Sequence, residues 1–197
     1  MGTSQADKAA SHERITDAAA VQIRRGGVGS LNVASLMSDA GLTHGGFYRH
    51  FASRDALITE AVETALEQSA NGYRSAQSPD GQRAARSLDD VIDDYLSPPH
   101  RDDPGSGCAI AALGNDIARG NEDARAAYTR HVRGYLDRLT AAIARSSGDV
   151  GDAPYVTLAA MVGALVLARA VSDPTLSDEL LSRTASGLRD VTRGTCA

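Results

Sequence analysis

Tryptophan is absent from this 197-residue chain and aromatic residues make up only 4% of it. A small-molecule pocket is accordingly expected to be mostly aliphatic, with one or two polar contacts. The two cysteines, Cys108 and Cys196, are too few for a disulfide framework, and a reducing compartment is expected. Among the 20 basic residues only Lys8 is a lysine, and the net charge of −5 excludes a histone-like polycation. It does not exclude a nucleic-acid reader with a small positive footprint. The most apolar stretch, Val156 to Ala168, falls short of the roughly 20 residues a membrane crossing needs. The opening residues have no apolar core, so no signal peptide is expected and the location is read as cytoplasmic, with no membrane partner. No HExxH, CxxC or glycine-rich phosphate loop occurs, and no Ser/His/Asp arrangement can be argued, so neither a metal nor a cofactor is expected.

Helix signals run almost throughout. No alternating strand pattern or internal repeat occurs, which predicts an all-α fold of about nine helices. Residues 1–10 are small and polar and read as a flexible terminus. Ser11 is placed to cap a first helix carrying Ile15, Ala18, Ala19 and Ile23, with Arg24 and Arg25 in its last turn and Gly26-Gly27 as the stop. Asn32 caps a short second helix that Gly41 ends, Thr43 a third to Phe51, and Ser53 a fourth that breaks near Ser78-Pro79-Asp80-Gly81. Further helices are expected at Leu88–Leu96, Cys108–Ala118, Glu122–Ser146, Pro154–Val171 and, capped by Ser177, to Thr192. The Pro- and Gly-rich run Pro98–Gly107 reads as a loop. The domains expected are thus 11–60, holding three helices, and 61–197.

Residues 32–55 carry the functional signal. Two short helices joined by Asp39-Ala40-Gly41-Leu42 match a helix-turn-helix. Phe47 and Phe51, four residues apart, point to one side, where Leu36 and Leu57 can meet them. The other side offers His44, Gly45, Gly46, Tyr48 and Arg49, with Thr43 at its positive N-terminal end. Two adjacent glycines in so short a helix cost about 2 kcal/mol against alanine. Fold stability does not ask for them, whereas close backbone approach to base edges in a major groove does. Tyr48, His50 and Arg54 can donate to phosphates. Over residues 1–60 six Lys/Arg balance six Asp/Glu, so the remainder carries the whole acidic excess.

The run from Gly41 to Leu57 resembles the DNA-binding signature of TetR-type transcriptional regulators, and Arg14–Ala19 and Gly26-Gly27 sit where that family places its first helix and its end. The resemblance covers about residues 11–60. It implies a homodimeric, ligand-released repressor on a palindromic double-stranded operator, with a helical domain for an unidentified small-molecule inducer and for dimerisation. It also implies that Thr43, His44, Gly45 and Gly46 face bases while Tyr48, His50 and Arg54 hold phosphates, with Asn32 and Arg49 in the same DNA-binding set. One departure is that Asn32-Val33-Ala34-Ser35 lacks the Thr and the basic residue many members carry, which shifts base reading to the second helix.

Four further features compete for a role. Asp89, Asp90, Asp93 and Asp94 share a helix face and would suit a magnesium-dependent enzyme acting on a diphosphate, but no second cluster faces them and a solvated acidic face is the plainer reading. His100 with Asp102 and Asp103 lies in a Pro-rich run and reads as surface. Cys108 opens a helix, where a thiol gains thiolate character; this suits a redox sensor, against the alternative of a small core residue. The segment 154–171, apolar nearly all round and rich in small residues, pairs with 180–191 as the expected dimer seam. Tyr73, Tyr95, Tyr128 and Tyr135 are the hydroxyls available to an inducer.

Overall fold

The computed structural model describes residues 5–75, 87–147 and 150–192, with side chains at all of these except 44, 71–75 and 147. The expected break at 78–81, Cys196 and the side chain of Tyr73 lie outside that description. Nine α-helices and two short 3-10 helices are present among the described residues, and no strand. In chain order these are α1 (Gln5–Gly26), α2 (Val33–Asp39), α3 (Arg54–Ser75), α4 (Leu88–Tyr95), α5 (Pro98–Asp102), α6 (Ala109–Ile117), α7 (Glu122–Ser147), α8 (Ala153–Ala170) and α9 (Pro174–Thr192). The 3-10 helices are Val28–Ser30 and His44–Arg49. Two compact units result: Met1–Asn71 with Cys108–Thr129, and Gly72–Gly107 with Arg130–Ala197.

Helix boundaries follow local capping where a cap exists. Asn32 Oδ1 accepts from Ser35 N at 3.1 Å, Ser53 Oγ from Ala56 N at 3.0 Å, and Asn121 Oδ1 from Ala124 N at 2.8 Å. Ser87 and Asp90 form a reciprocal capping box at the head of α4. Three expected boundaries differ. α1 begins at Gln5, six residues upstream of Ser11; that serine is buried inside the helix, where its hydroxyl accepts from Arg14. Ser177 likewise lies inside α9, which Asp173 caps through Thr175 N and Leu176 N, and its hydroxyl donates to Ala168 O at 2.7 Å. Pro98–Asp102 is a helix rather than a loop.

That last helix is satisfied at one end by its neighbour and at the other by a distant group. Ser97 caps its N-terminus, with proline at its first positions, and the Arg169 guanidinium donates to the carbonyls of His100 and Arg101 at 2.7 and 3.0 Å. Gly107 leaves room for this: a Cβ there would stand 2.9 Å from Arg169 Nη2 and 3.1 Å from Asp103 O. Arg101 in turn pairs with Asp178 at 2.6 Å and Asp102 at 2.7 Å.

In the first unit the buried side chains include Ile15, Ala19 and Ile23 of α1, Met37 of α2, Leu57 and Ala61 of α3 and Leu113 of α6. Fully burying each large aliphatic among them contributes on the order of 1.5–3 kcal/mol. In the second unit α8 packs along α9, burying Thr157, Leu158, Met161, Leu165 and Ala168 on one face. α8 spans 18 residues with mean hydropathy 1.6, longer than the apolar stretch read from sequence and enough, by length and composition, to cross a membrane. Its other face exposes Tyr155, Val156, Val166 and Leu167.

Candidate nucleic-acid interface

α2 and the 3-10 helix His44–Arg49 are joined by a turn that only one backbone geometry closes. Gly41 has φ +71°; its N–H reaches Ser38 O at 2.9 Å and Leu42 N reaches Met37 O at 2.8 Å. These paired bonds satisfy the last carbonyls of α2 and need a left-handed residue at that position, which explains the glycine.

The second element is tighter than the α-helix expected. Thr43 sits at its N-cap with extended backbone and its carbonyl accepts from Gly46 N at 2.8 Å, while its hydroxyl makes no capping bond. In a 3-10 helix residues three apart eclipse, so Gly45 lines up with Tyr48 and Gly46 with Arg49. Phe47 and Phe51 face inward, buried and stacked at 5.5 Å, in the same core as Leu36 and Leu57. Tyr48 meets the edge of Phe47 at 5.2 Å and is 72% exposed.

The glycines answer to no demand of the fold. A Cβ at Gly45 would meet nothing within 4 Å, and one at Gly46 would make only ordinary contacts at 3.6 Å or more. Thr43, Gly45, Tyr48, Arg49 and Arg54 are exposed together on this unit; Gly46 and His50 are half-buried. The side chain of His44 lies outside the described set.

Two members of the expected set, Asn32 and Arg54, make bonds within the fold, and a third, His50, is partly buried. Asn32 Oδ1 is the cap of α2. Arg54 Nη2 lies 3.4 Å from Val28 O, on the turn after α1. His50 keeps its Nδ1 buried without a hydrogen-bond partner among the described residues. Burial first, then the positive charges of His12, Lys8 and Arg49, hold the His50 pKa below its usual value.

Arg24, expected as a cation of the last turn of α1, is buried and bonds Gln68 Oε1 at 2.9 Å and Ala65 O at 3.3 Å, tying α1 to α3. Sequence reading overlooked Lys8 because the chain before Ser11 looked unstructured; extending the helical pattern upstream would have placed it one turn before Ser11 and His12.

The acidic run is occupied by the fold. Asp90 closes the capping box and Asp93 pairs with Arg189 of α9. Among the described residues no group of three or more metal-ligating side chains forms, at Asp89–Asp94 or at His100, Asp102 and Asp103. Cys108 stands at the N-cap of α6 with 6% of its surface exposed.

Residues 15–61 match the model of the bacterial regulatory proteins, tetR family. A search of curated protein sequences finds no match. Among solved structures the chain is similar to a TetR-family transcriptional regulator from Cytophaga hutchinsonii (16% identity, TM-score 0.75, covering 96% of this chain and 97% of that one). It is also similar to a TetR transcriptional regulator from Chloroflexus aurantiacus (20%, 0.74, 94% and 97%). The reduced form of Escherichia coli NemR is comparable (21%, 0.72, 92% and 96%). At these identities the structural likeness speaks to the fold.

Proposed function

Because residues 15–61 match the model of the bacterial regulatory proteins, tetR family, we propose that this chain is a DNA-binding transcriptional regulator of that kind rather than an enzyme, and that it acts as a ligand-released repressor in the cytoplasm. It binds a pseudo-palindromic double-stranded operator as a homodimer. The observation that carries this reading is the exposed set Thr43, Gly45, Tyr48 and Arg49: neither Gly45 nor Gly46 is required by packing, Tyr48 projects outward, and Arg49 has no acidic partner among the described residues. His44, Gly45 and Gly46 read bases; Thr43, Tyr48, Arg49, His50 and Arg54 hold phosphates.

The exposed apolar side chains of α8, with Leu176 on α9, support a second copy as the partner that covers them. A dimer sets its two reading elements about 34–36 Å apart, or a multiple of that, to meet successive major grooves. An inducer that binds better to a conformation with the wrong spacing releases DNA by its differential affinity for the two states. The interior of the second unit is our choice for its site. Thr157 there is fully buried with a hydroxyl that finds no hydrogen-bond partner among the described residues, which a polar ligand atom would satisfy. Cys108, shielded in the first unit, is assigned to packing rather than to oxidant sensing.

The test is a mobility shift on the DNA upstream of the protein's own gene. Tyr48→Ala should abolish or strongly weaken the shift at moderate salt while the variant stays folded; an intact shift overturns the site assignment.

A further inference from the structure

A cleft of about 570 Å³ lies between α1 and the helix-turn-helix. Lys8 and Ser11 of α1 form one wall; Gly41, Leu42, Thr43, Gly46, Arg49 and His50 form the other. Its lining contains three groups that carry or can carry positive charge and no carboxylate. Neither Lys8 nor Arg49 is paired with an acid among the described residues, and both are exposed. Of the acids nearby, Glu60 holds His12 at 2.5 Å, and Glu13 lines an adjoining hollow with Lys8, His12 and His50 rather than the cleft itself. After burial and His12, the nearby charges of Lys8 and Arg49 also act against protonation of His50. Thr43 adds a hydroxyl free of capping duty.

Two unpaired cations and a hydroxyl converging on a solvent-open cleft are what a phosphodiester needs and what folding alone does not. We propose that this cleft is a phosphate site that takes a backbone phosphodiester of bound DNA, held by Lys8 from α1 and by Arg49 and the Thr43 hydroxyl from the helix-turn-helix. The inference rests on the DNA-binding reading and extends it, because Lys8 lies outside the segment that matches the family model. Each subunit then grips the duplex backbone from two elements, and α1 becomes part of the interface through its first turn rather than a support behind it. A contact of this kind carries no sequence information; it sets register and adds to the salt dependence of binding.

The test uses the full-length protein and a labelled duplex from upstream of its own gene, titrated over a series of salt concentrations. Lys8→Ala should weaken binding roughly 3- to 10-fold, the size of one exposed charge-assisted contact. The loss should be equal for strong and weak operator variants, and the slope of log K against log salt should become shallower by about one. Arg125→Ala, an exposed cation of the same unit outside the cleft, should leave both unchanged. In a second arm single phosphates of the duplex are replaced by neutral methylphosphonates. One position should cost the wild type but not Lys8→Ala, which identifies the phosphate. An unchanged slope for Lys8→Ala, or no position with that coupling, overturns the proposal while leaving wild-type DNA binding intact. If inorganic phosphate binding depends on Lys8 but the DNA slope does not, the site serves a free anion and the proposal is likewise overturned. A wild type that binds no duplex overturns the DNA-binding reading itself, and this inference with it.

Discussion

The carboxylate of Asp116 accepts the backbone N–H of Val28 at 2.8 Å, so helix α6 holds the turn that follows α1. The residue before that amide is Gly27, at φ +77°, whose missing side chain makes the contact possible: a Cβ there would stand 2.6 Å from Asp116 Oδ2. Its own N–H closes α1 on Ile23 O at 2.8 Å, so one glycine both ends the helix and admits the carboxylate.

Gly27→Ala should therefore destabilise the protein by about 1–2 kcal/mol from the left-handed backbone alone, plus the steric cost against Asp116. Asp116→Ala leaves the Val28 N–H unsatisfied and should cost about 1 kcal/mol, this amide being only partly buried. Denaturant titration of the double variant should recover the steric part and retain the backbone part. Full additivity of the two single changes would refute the link between them.

Gly114 sits inside α6, where alanine normally stabilises a helix by up to about 1 kcal/mol. Here a Cβ would lie 2.9 Å from the hydroxyl oxygen of Tyr128, which donates to Ile110 O at 2.9 Å. Gly114→Ala should thus destabilise, and the same change in a Tyr128→Phe background should stabilise. Burial, with Cys108 nearby, pushes the Tyr128 hydroxyl up to about 12, so phenolate absorbance from this residue should be missing from a titration carried to pH 11.

His100 has its pKa pulled below 6.5, first by burial and then by Arg169, against the opposing pull of the Tyr95 carbonyl, Asp94 and Asp103. Its Nδ1 lies 2.6 Å from Tyr95 O, so the neutral ring donates there. A histidine whose folded pKa is depressed stabilises the fold fully above the unfolded value of 6.5 and loses that contribution as pH falls through the folded pKa. Melting of the wild type should decline on acidification below about pH 6.5, and His100→Gln should flatten that decline while lowering stability at pH 8. A decline unaltered by the substitution would assign it elsewhere, His50 being another histidine shifted in this direction.

Gly45→Ala separates folding from reading. With nothing within 4 Å of the added carbon, the variant should fold with unchanged or slightly raised stability. If the backbone at Gly45 approaches base edges, operator binding should fall at least tenfold, and the discrimination between operator variants should fall with it. Unchanged affinity would mean that the glycine pair serves something other than DNA contact.

What the chain alone determined is what neighbours within four or five residues decide. Asn32 to Ser35, Ser53 to Ala56, Asn121 to Ala124 and the Gly41 turn are short-range hydrogen bonds, so residue types at fixed spacing were enough to read them. The helix-turn-helix, its inward Phe47 and Phe51 and its outward Tyr48 were legible for the same reason. Tertiary structure decided everything whose partner lies far along the chain. Ser177 looks like a cap, yet it is buried inside α9 and donates to Ala168 O across a helix junction. Arg24 looks like a solvent cation, yet α3 supplies the acceptors that let its charge be buried. Pro98–Asp102 is helical because Arg169 reaches its carbonyls, and the Asp116–Val28 bond spans 88 residues. Long side chains and backbone amides find such partners only once packing brings distant segments together, and spacing along a sequence carries no record of that.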